Sequence, residues 1–134
     1  MTNSNRKNGT AFEREFCLML AQHGFWAHNL AQNAQGQPFD VLVARNGAAI
    51  PVDCKVCQNN TFALRRMEQN QFLAMARWKD AGNGEPWFAL KVKDGTVYMV
   101  AFEHVRAAHP ESTWNLDDIR CVGLPFDRWV QKCM

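Results

Sequence analysis

The chain has 134 residues, 47% of them hydrophobic and 21% charged, the length and apolar content of one globular domain with its own core. Fifteen Lys and Arg against thirteen Asp and Glu leave a formal net charge of +2, which neither demands a polyanionic partner nor excludes one. No window approaches the ~18 consecutive apolar residues of a membrane span, and the polar first residues lack the apolar run of a signal peptide. A cytoplasmic protein with no membrane partner is expected, and its five cysteines, at 17, 54, 57, 121 and 133, should then be free thiols.

Residues 1–8 are polar and carry Arg6 and Lys7, which reads as a flexible basic arm ahead of a single domain over residues 9–134. From Thr10, the residues Phe12, Phe16, Met19 and Leu20 fall on one face of a helix that Gly24 ends. The Asn-, Gln- and Gly-rich stretch from Asn29 to Pro38 is expected to be a loop. Phe39 to Val43 and Ala49 to Val56 are β-prone runs joined across Asn46-Gly47, a strong hairpin signal, with Pro51 placing the second run partly at an edge.

Leu64, Met67, Gln71, Met75 and Trp78 have helical spacing through residue 80, with Gly82-Asn83-Gly84 as the stop. Trp87 to Val92 and Thr96 to Val100 flank Asp94-Gly95, a second hairpin. In the tail, Glu103 to Ala108 and Phe126 to Cys133 are candidate short helices separated by Pro110. The order helix, strand pair, helix, strand pair indicates an α/β domain. Trp26, Trp78 and Trp87 are expected in the core, while Trp114 and Trp129 fit either the core or a dimer contact.

Chemistry is concentrated in the first hairpin, where Asp40 lies on one strand and Asp53 and Lys55 on the other. The strand period of two puts the side chains at 53 and 55 on one face, a carboxylate beside an ammonium. If Asp40 reaches that face too, the buried acids call for a compensating cation, and two such carboxylates suit Mg²⁺, which prefers hard oxygen ligands and keeps several of its waters. The alternative is a turn aspartate and a surface ion pair worth ~0–1 kcal/mol. Cys54 and Cys57 form a C-x-x-C without a second ligand pair for zinc, and in a strand they point to opposite faces. The histidines at 23, 28, 104 and 109 have no spacing that suggests catalysis.

Asp40 followed by Asp53-Cys54-Lys55 resembles the signature of the PD-(D/E)xK nucleases, with Pro38 displaced by one place. Arg6-Lys7-Asn8-Gly9-Thr10-Ala11-Phe12-Glu13-Arg14-Glu15-Phe16 is similar to the basic, glycine-containing start and acid-bearing first helix of archaeal and phage-type Holliday junction resolvases, and Gly24-Phe25-Trp26 matches the end of that helix. The resemblance covers roughly residues 6–101. It implies a restriction-endonuclease-like fold, a central mixed sheet flanked by helices, and hydrolysis of DNA phosphodiesters in recombination and repair. It implies Mg²⁺ or Mn²⁺ held by Glu13, Asp40, Asp53 and the main-chain carbonyl of Cys54, with Lys55 as the catalytic lysine. Asp53 stands where the family commonly has Glu, and Glu15 competes with Glu13 for the helix-acid role. Related nucleases often place a glutamine on the helix after the lysine strand; Gln71 fits that position, or else is a core-edge residue bonded to backbone.

The resemblance also implies branched DNA as partner and a symmetric homodimer presenting two sites. Arg6, Lys7 and Arg14, with Arg65 and Arg66, are the candidate DNA contacts, able to hold phosphates without reading bases. Two other readings are a nuclease of this fold acting on flaps, ends or foreign duplexes, and a DNA-binding module that does not cut.

Overall fold

The computed structural model describes residues 2–31 and 36–134, with side chains from residue 9 onward. Helix α1 (Thr2–Gln22) buries Phe12, Phe16 and Leu20 on one face. Gly24, at φ +83, ends it: the Phe25 N–H donates to the Leu20 carbonyl and the Gly24 N–H to that of Ala21, each at 3.1 Å. The helix begins eight residues before the expected start at Thr10, so residues 2–8 are helical in backbone rather than a loose arm. A polar segment can extend a helix that a packed segment has already nucleated, because each added residue gains a hydrogen bond without a new nucleation cost. The side chains of Arg6 and Lys7 lie outside the described residues.

Strand β1 (Trp26–Asn29), which no sequence signal marks, follows directly and forms one edge of the sheet. Its outward positions hold aromatic rather than charged residues, so Trp26, expected in the core, is 58% exposed. Strands β2 (Val41–Arg45) and β3 (Ala48–Val56) form the anticipated hairpin, with Asn46 and Gly47 both at positive φ (52 and 80) as a type I′ turn requires. Pro51 pairs with Leu42 of β2 but precedes Val52, where pairing to β5 begins, so it occupies the half of β3 that has one partner strand.

After β4 (Phe62–Ala63), the run expected as one helix is broken in two. Leu64–Arg66 form a single 3-10 turn, and α2 spans Gln69–Asp80. The break has a local cause: Glu68 caps α2 and Gln71 closes a reciprocal capping box, which fixes the helix start at Gln69, five residues after Leu64. Arg65 and Arg66 therefore sit on the turn before α2 and not on the helix. Strands β5 (Trp87–Lys91) and β6 (Val97–Ala101) form the second hairpin. The tail adds α3 (Phe102–Ala107), β7 (Thr113–Trp114), α4 (Leu116–Val122), β8 (Leu124–Pro125) and α5 (Phe126–Cys133). Helix α4, started by an Asn115–Asp118 capping box, and the two-residue strands are too short to leave a periodic signature.

The main sheet has the order β1-β2-β3-β5-β6-β8, and only β3 and β5 are parallel, linked by a crossover that contains α2. Strands β4 and β7 pair separately. One face packs on α1 and α5 through Phe12, Phe16, Leu20, Val43, Val52, Met99 and Trp129. The other packs on α2, α3 and α4 through Met75, Phe88, Leu90, Val100, Phe102 and Ile119. Cys54 belongs to the first cluster and Cys57 to the second, so the C-x-x-C pair is split across the sheet, and all five cysteines are free. Among the described residues no helix is long and apolar enough to cross a membrane.

Trp129 is a core residue. It is fully buried, stacks on Phe25 at 5.7 Å and meets Trp87 edge-on at 6.1 Å. Trp114 packs against the second cluster. Urea denaturation of Trp129→Ala should show a loss of ~3–5 kcal/mol, the usual cost of emptying a large aromatic site. Trp129→Phe should lose clearly less, since the indole N–H it removes has no hydrogen-bond partner.

Candidate active site

The sheet forks at β3. Its pairing with β2 runs from Ala48 to Val52, and its pairing with β5 from Val52 to Val56. Beyond Val52 the β2 side of β3 is open, and the carboxylate of Asp40 fills the gap, its Oδ2 accepting the Cys54 N–H at 2.8 Å. The other oxygen, Oδ1, accepts from Gln37 Nε2 at 3.0 Å, and the Gln37 carbonyl is held by Asn70 Nδ2 at 3.2 Å. A side chain thus takes over a ladder position at the point where two strands diverge.

Asp53 is fully buried on the α2 side of β3. Its Oδ1 accepts Gln71 Nε2 at 2.8 Å, while Oδ2 lies 3.2 Å from Lys55 Nζ without an oriented hydrogen bond from any group. Lys55 Nζ also approaches Gln71 Oε1 at 3.4 Å, and that oxygen accepts the Glu68 N–H at 3.3 Å. Gln71 is thus bonded to backbone as a cap and also to the Asp53 carboxylate.

Glu13 extends from α1 between the buried Phe12 and Phe16, bonded to the side chain of Asn29. Burial and the neighbouring Asp40 carboxylate raise its pKa from the ordinary 4.5 to about 7, against the opposing pull of Asn29 and Lys55. Burial likewise pushes Asp53 well above the usual carboxylate range, with Asp40 adding to the shift and Lys55 opposing it. Glu13, Asp40, Asp53, Lys55 and Gln71 are thus one electrostatic unit. Glu15 belongs elsewhere, since two residues further along the helix it meets Lys91 Nζ at 2.8 Å.

Of the expected DNA contacts with described side chains, Arg14, Arg65 and Arg66 are all exposed. Arg14 neighbours Glu13 on α1, whereas Arg66 lies over the Phe62 ring at 5.8 Å beside the buried Cys57 thiol. Asn29, Gln37 and Asn70, which orient the acids, carry no motif that would have marked them in the sequence. Each lies in or next to a polar stretch, and only the fold shows that Gln37 is buried at 7% exposure.

Three buried carboxylates facing one ammonium, with one oxygen lacking a donor, form a site short of positive charge. Among the described residues no three His, Cys, Asp or Glu side chains are drawn together tightly enough to enclose an ion by themselves. Oxygen donors from two strands and a helix nevertheless match a hard cation that is bound through one or two carboxylates and retains its waters.

Two outcomes are expected. With divalent metal chelated, the urea midpoint should fall as pH rises from about 4.5 to about 7, because the folded state holds protons on Glu13 that the unfolded chain has released. Glu13→Gln should flatten that slope, and a midpoint that rises across this window would contradict the raised pKa. Gln71→Ala removes both the donor to Asp53 and half of the α2 cap, so the activity of the site should drop by about 10- to 100-fold.

The fold resembles that of Archaeoglobus fulgidus Hjc, described as a Holliday junction resolvase from an archaeal hyperthermophile, with a TM-score of 0.72 at 17% identity over 91% of this chain and 99% of that one. A comparison with curated proteins gives no match. The family model for the archaeal Holliday junction resolvase Hjc matches residues 4–131, and beside a six-stranded mixed sheet flanked by helices this shows that the chain belongs to the Hjc family of junction-resolving endonucleases.

Proposed function

We propose that this protein hydrolyses phosphodiesters at branched DNA with Glu13, Asp40, Asp53, Lys55 and Gln71 as its working site. The observation that carries the reading is the fully buried Asp53, with Lys55 Nζ at 3.2 Å and Gln71 Nε2 at 2.8 Å, on the strand where the sheet forks. A fold does not need that arrangement, which costs desolvation energy, and a site for a cation and a phosphate does. Residues 9–134 would act as a single nuclease domain in the cytoplasm.

Asp40, Asp53 and Glu13 would hold Mg²⁺ or Mn²⁺. In a strand the N–H and C=O of one residue point to the same side, so the Cys54 carbonyl opens beside the Asp40 that its N–H binds and can serve as a further ligand. When bound by these residues, such an ion would supply Lewis-acid polarisation of the phosphate and a more acidic water. Lys55 Nζ, 15% exposed at its side chain, can meet the negative charge that develops on the phosphoryl oxygens or hold the attacking water in line. Gln71 keeps Asp53 in one orientation, and Gln37 with the Cys54 N–H does the same for Asp40.

Arg14, Arg65 and Arg66 are exposed cations that would contact phosphates, joined by Arg6 and Lys7 at the start of α1. Such contacts carry no base information, which suits recognition of a branched shape. Cutting two strands of one junction calls for a homodimer with two sites.

The test is cleavage of a labelled four-way junction beside matched duplex, flap and single strand, with Mg²⁺, Mn²⁺ or EDTA. Wild type should give paired symmetric nicks on the junction, lost with EDTA and with Asp53→Ala. Nicks that survive either change would overturn the assignment of the site. Arg65→Ala with Arg66→Ala should weaken binding of all substrates alike and reduce the salt slope by about one for each phosphate that the two arginines neutralise.

A further inference from the structure

The sheet face that carries Asp53 has a second feature that the cleavage chemistry does not use. On β1, Trp26 is 58% exposed and stacks on the exposed His28, ring centroids 5.9 Å apart and planes within 15°. Directly paired residues share a face: Trp26 lies in a row with Ala44 and Ala49, and His28 in a row with Leu42 and Pro51. Two residues beyond Pro51 on the same face of β3 is Asp53, and the Leu30 N–H bonds the Asp40 carbonyl at 2.8 Å, which carries the β1–β2 pairing up to the fork. With about 7 Å per two-residue step along a strand and about 4.8 Å between strands, His28 lies roughly 12 Å and Trp26 roughly 17 Å from Asp53 along the sheet.

The surroundings favour a nucleic acid over other occupants. Residues 16–39 and 41–52 contain no Asp or Glu, and Arg45 is their one Lys or Arg, so apart from the site acids the β1–β2–β3 face offers no charge that repels phosphate. The small Ala44 and Ala49 leave the indole uncrowded. A single exposed indole at the end of a row of alanines is a small patch beside the roughly 2,000 Å² or more of an obligate subunit interface.

We propose that the Trp26–His28 pair is a stacking platform for DNA bases freed from their duplex neighbours where junction arms meet, placed to hold the branch next to the cutting site. The inference rests on the reading of Asp40 and Asp53 as that site. Every base has a π-face, so aromatic stacking captures unstacked bases without sequence preference, and an intact duplex offers no free face to it. The platform thereby favours a branch over plain duplex, in addition to the shape recognition that phosphate contacts supply.

The full chain is titrated, in EDTA so that strands stay intact, against a four-way junction carrying 2-aminopurine at the branch and against a duplex with the same probe. Wild type should quench the junction probe. Trp26→Ala should lose the quench and bind the junction about tenfold more weakly, with duplex affinity changed by less than about twofold, while Trp26→Phe keeps most of both. A junction probe that wild type leaves unchanged, or a Trp26→Ala protein with full junction affinity, would overturn the platform. So would a Trp26→Ala protein that sediments as a smaller species, since the face would then belong to a second copy of the chain. Asp53→Ala separates the two readings: continued cutting in metal with the quench intact would remove the acids from the mechanism and support the platform as a junction-binding surface.

Discussion

A carboxylate with no exposed surface, Asp53 on the middle strand, imposes conditions on everything around it. An ion buried there is tolerated only if charge and hydrogen bonds answer it; removing one member of such a group costs ~3–5 kcal/mol. Lys55 answers the charge from two residues along the same strand, and Gln71 answers one oxygen from α2. Because Gln71 also closes the capping box with Glu68, the start of α2 and the orientation of Asp53 are set by one side chain. That coupling accounts for the interruption between Leu64 and Gln69 in what would otherwise be a continuous helical stripe.

The other acids are held by the same kind of shared contact. Asp40 stands in for a strand neighbour at the fork by binding the Cys54 N–H, and a chain of amides from Asn70 through Gln37 ties it to α2. Glu13 is delivered by packing: Phe12 and Phe16 lock α1 onto the sheet, and the residue between them that faces the fork is the glutamate. The aromatic cluster of Phe25, Phe126 and Trp129 fixes the far end of that contact. Core and site are therefore one mechanical object, and the excess of buried negative charge remains for a cation to neutralise.

The sheet is asymmetric in what covers it. The face against α1 and α5 is apolar along its length, whereas the opposite face is covered by α2, α3 and α4 over β5 and β6 and presents Trp26 and His28 at the β1 edge. The fork thus stands between a packed half and an open half of one surface. Arg65 and Arg66 are exposed on the turn before α2, and Arg14 is exposed on α1.

Local pattern determined much of this protein. Asn46-Gly47 and Asp94-Gly95 specify their hairpins because few other residues adopt positive φ, and the period of two places Asp53 and Lys55 on one face and Cys54 and Cys57 on opposite ones. The order of Glu13, Asp40, Asp53 and Lys55 was enough to suggest the nuclease family. The rest depended on contacts between residues far apart in the chain. Strand β1 and the orienting roles of Asn29, Gln37 and Asn70 had no sequence signature, because a polar residue in a loop looks the same whether the loop faces water or closes over an acid. Only the tertiary structure separated Glu13 from Glu15, by turning one toward the fork and the other to Lys91, and only it left Trp26 in solvent, because an edge strand has no neighbour to cover it.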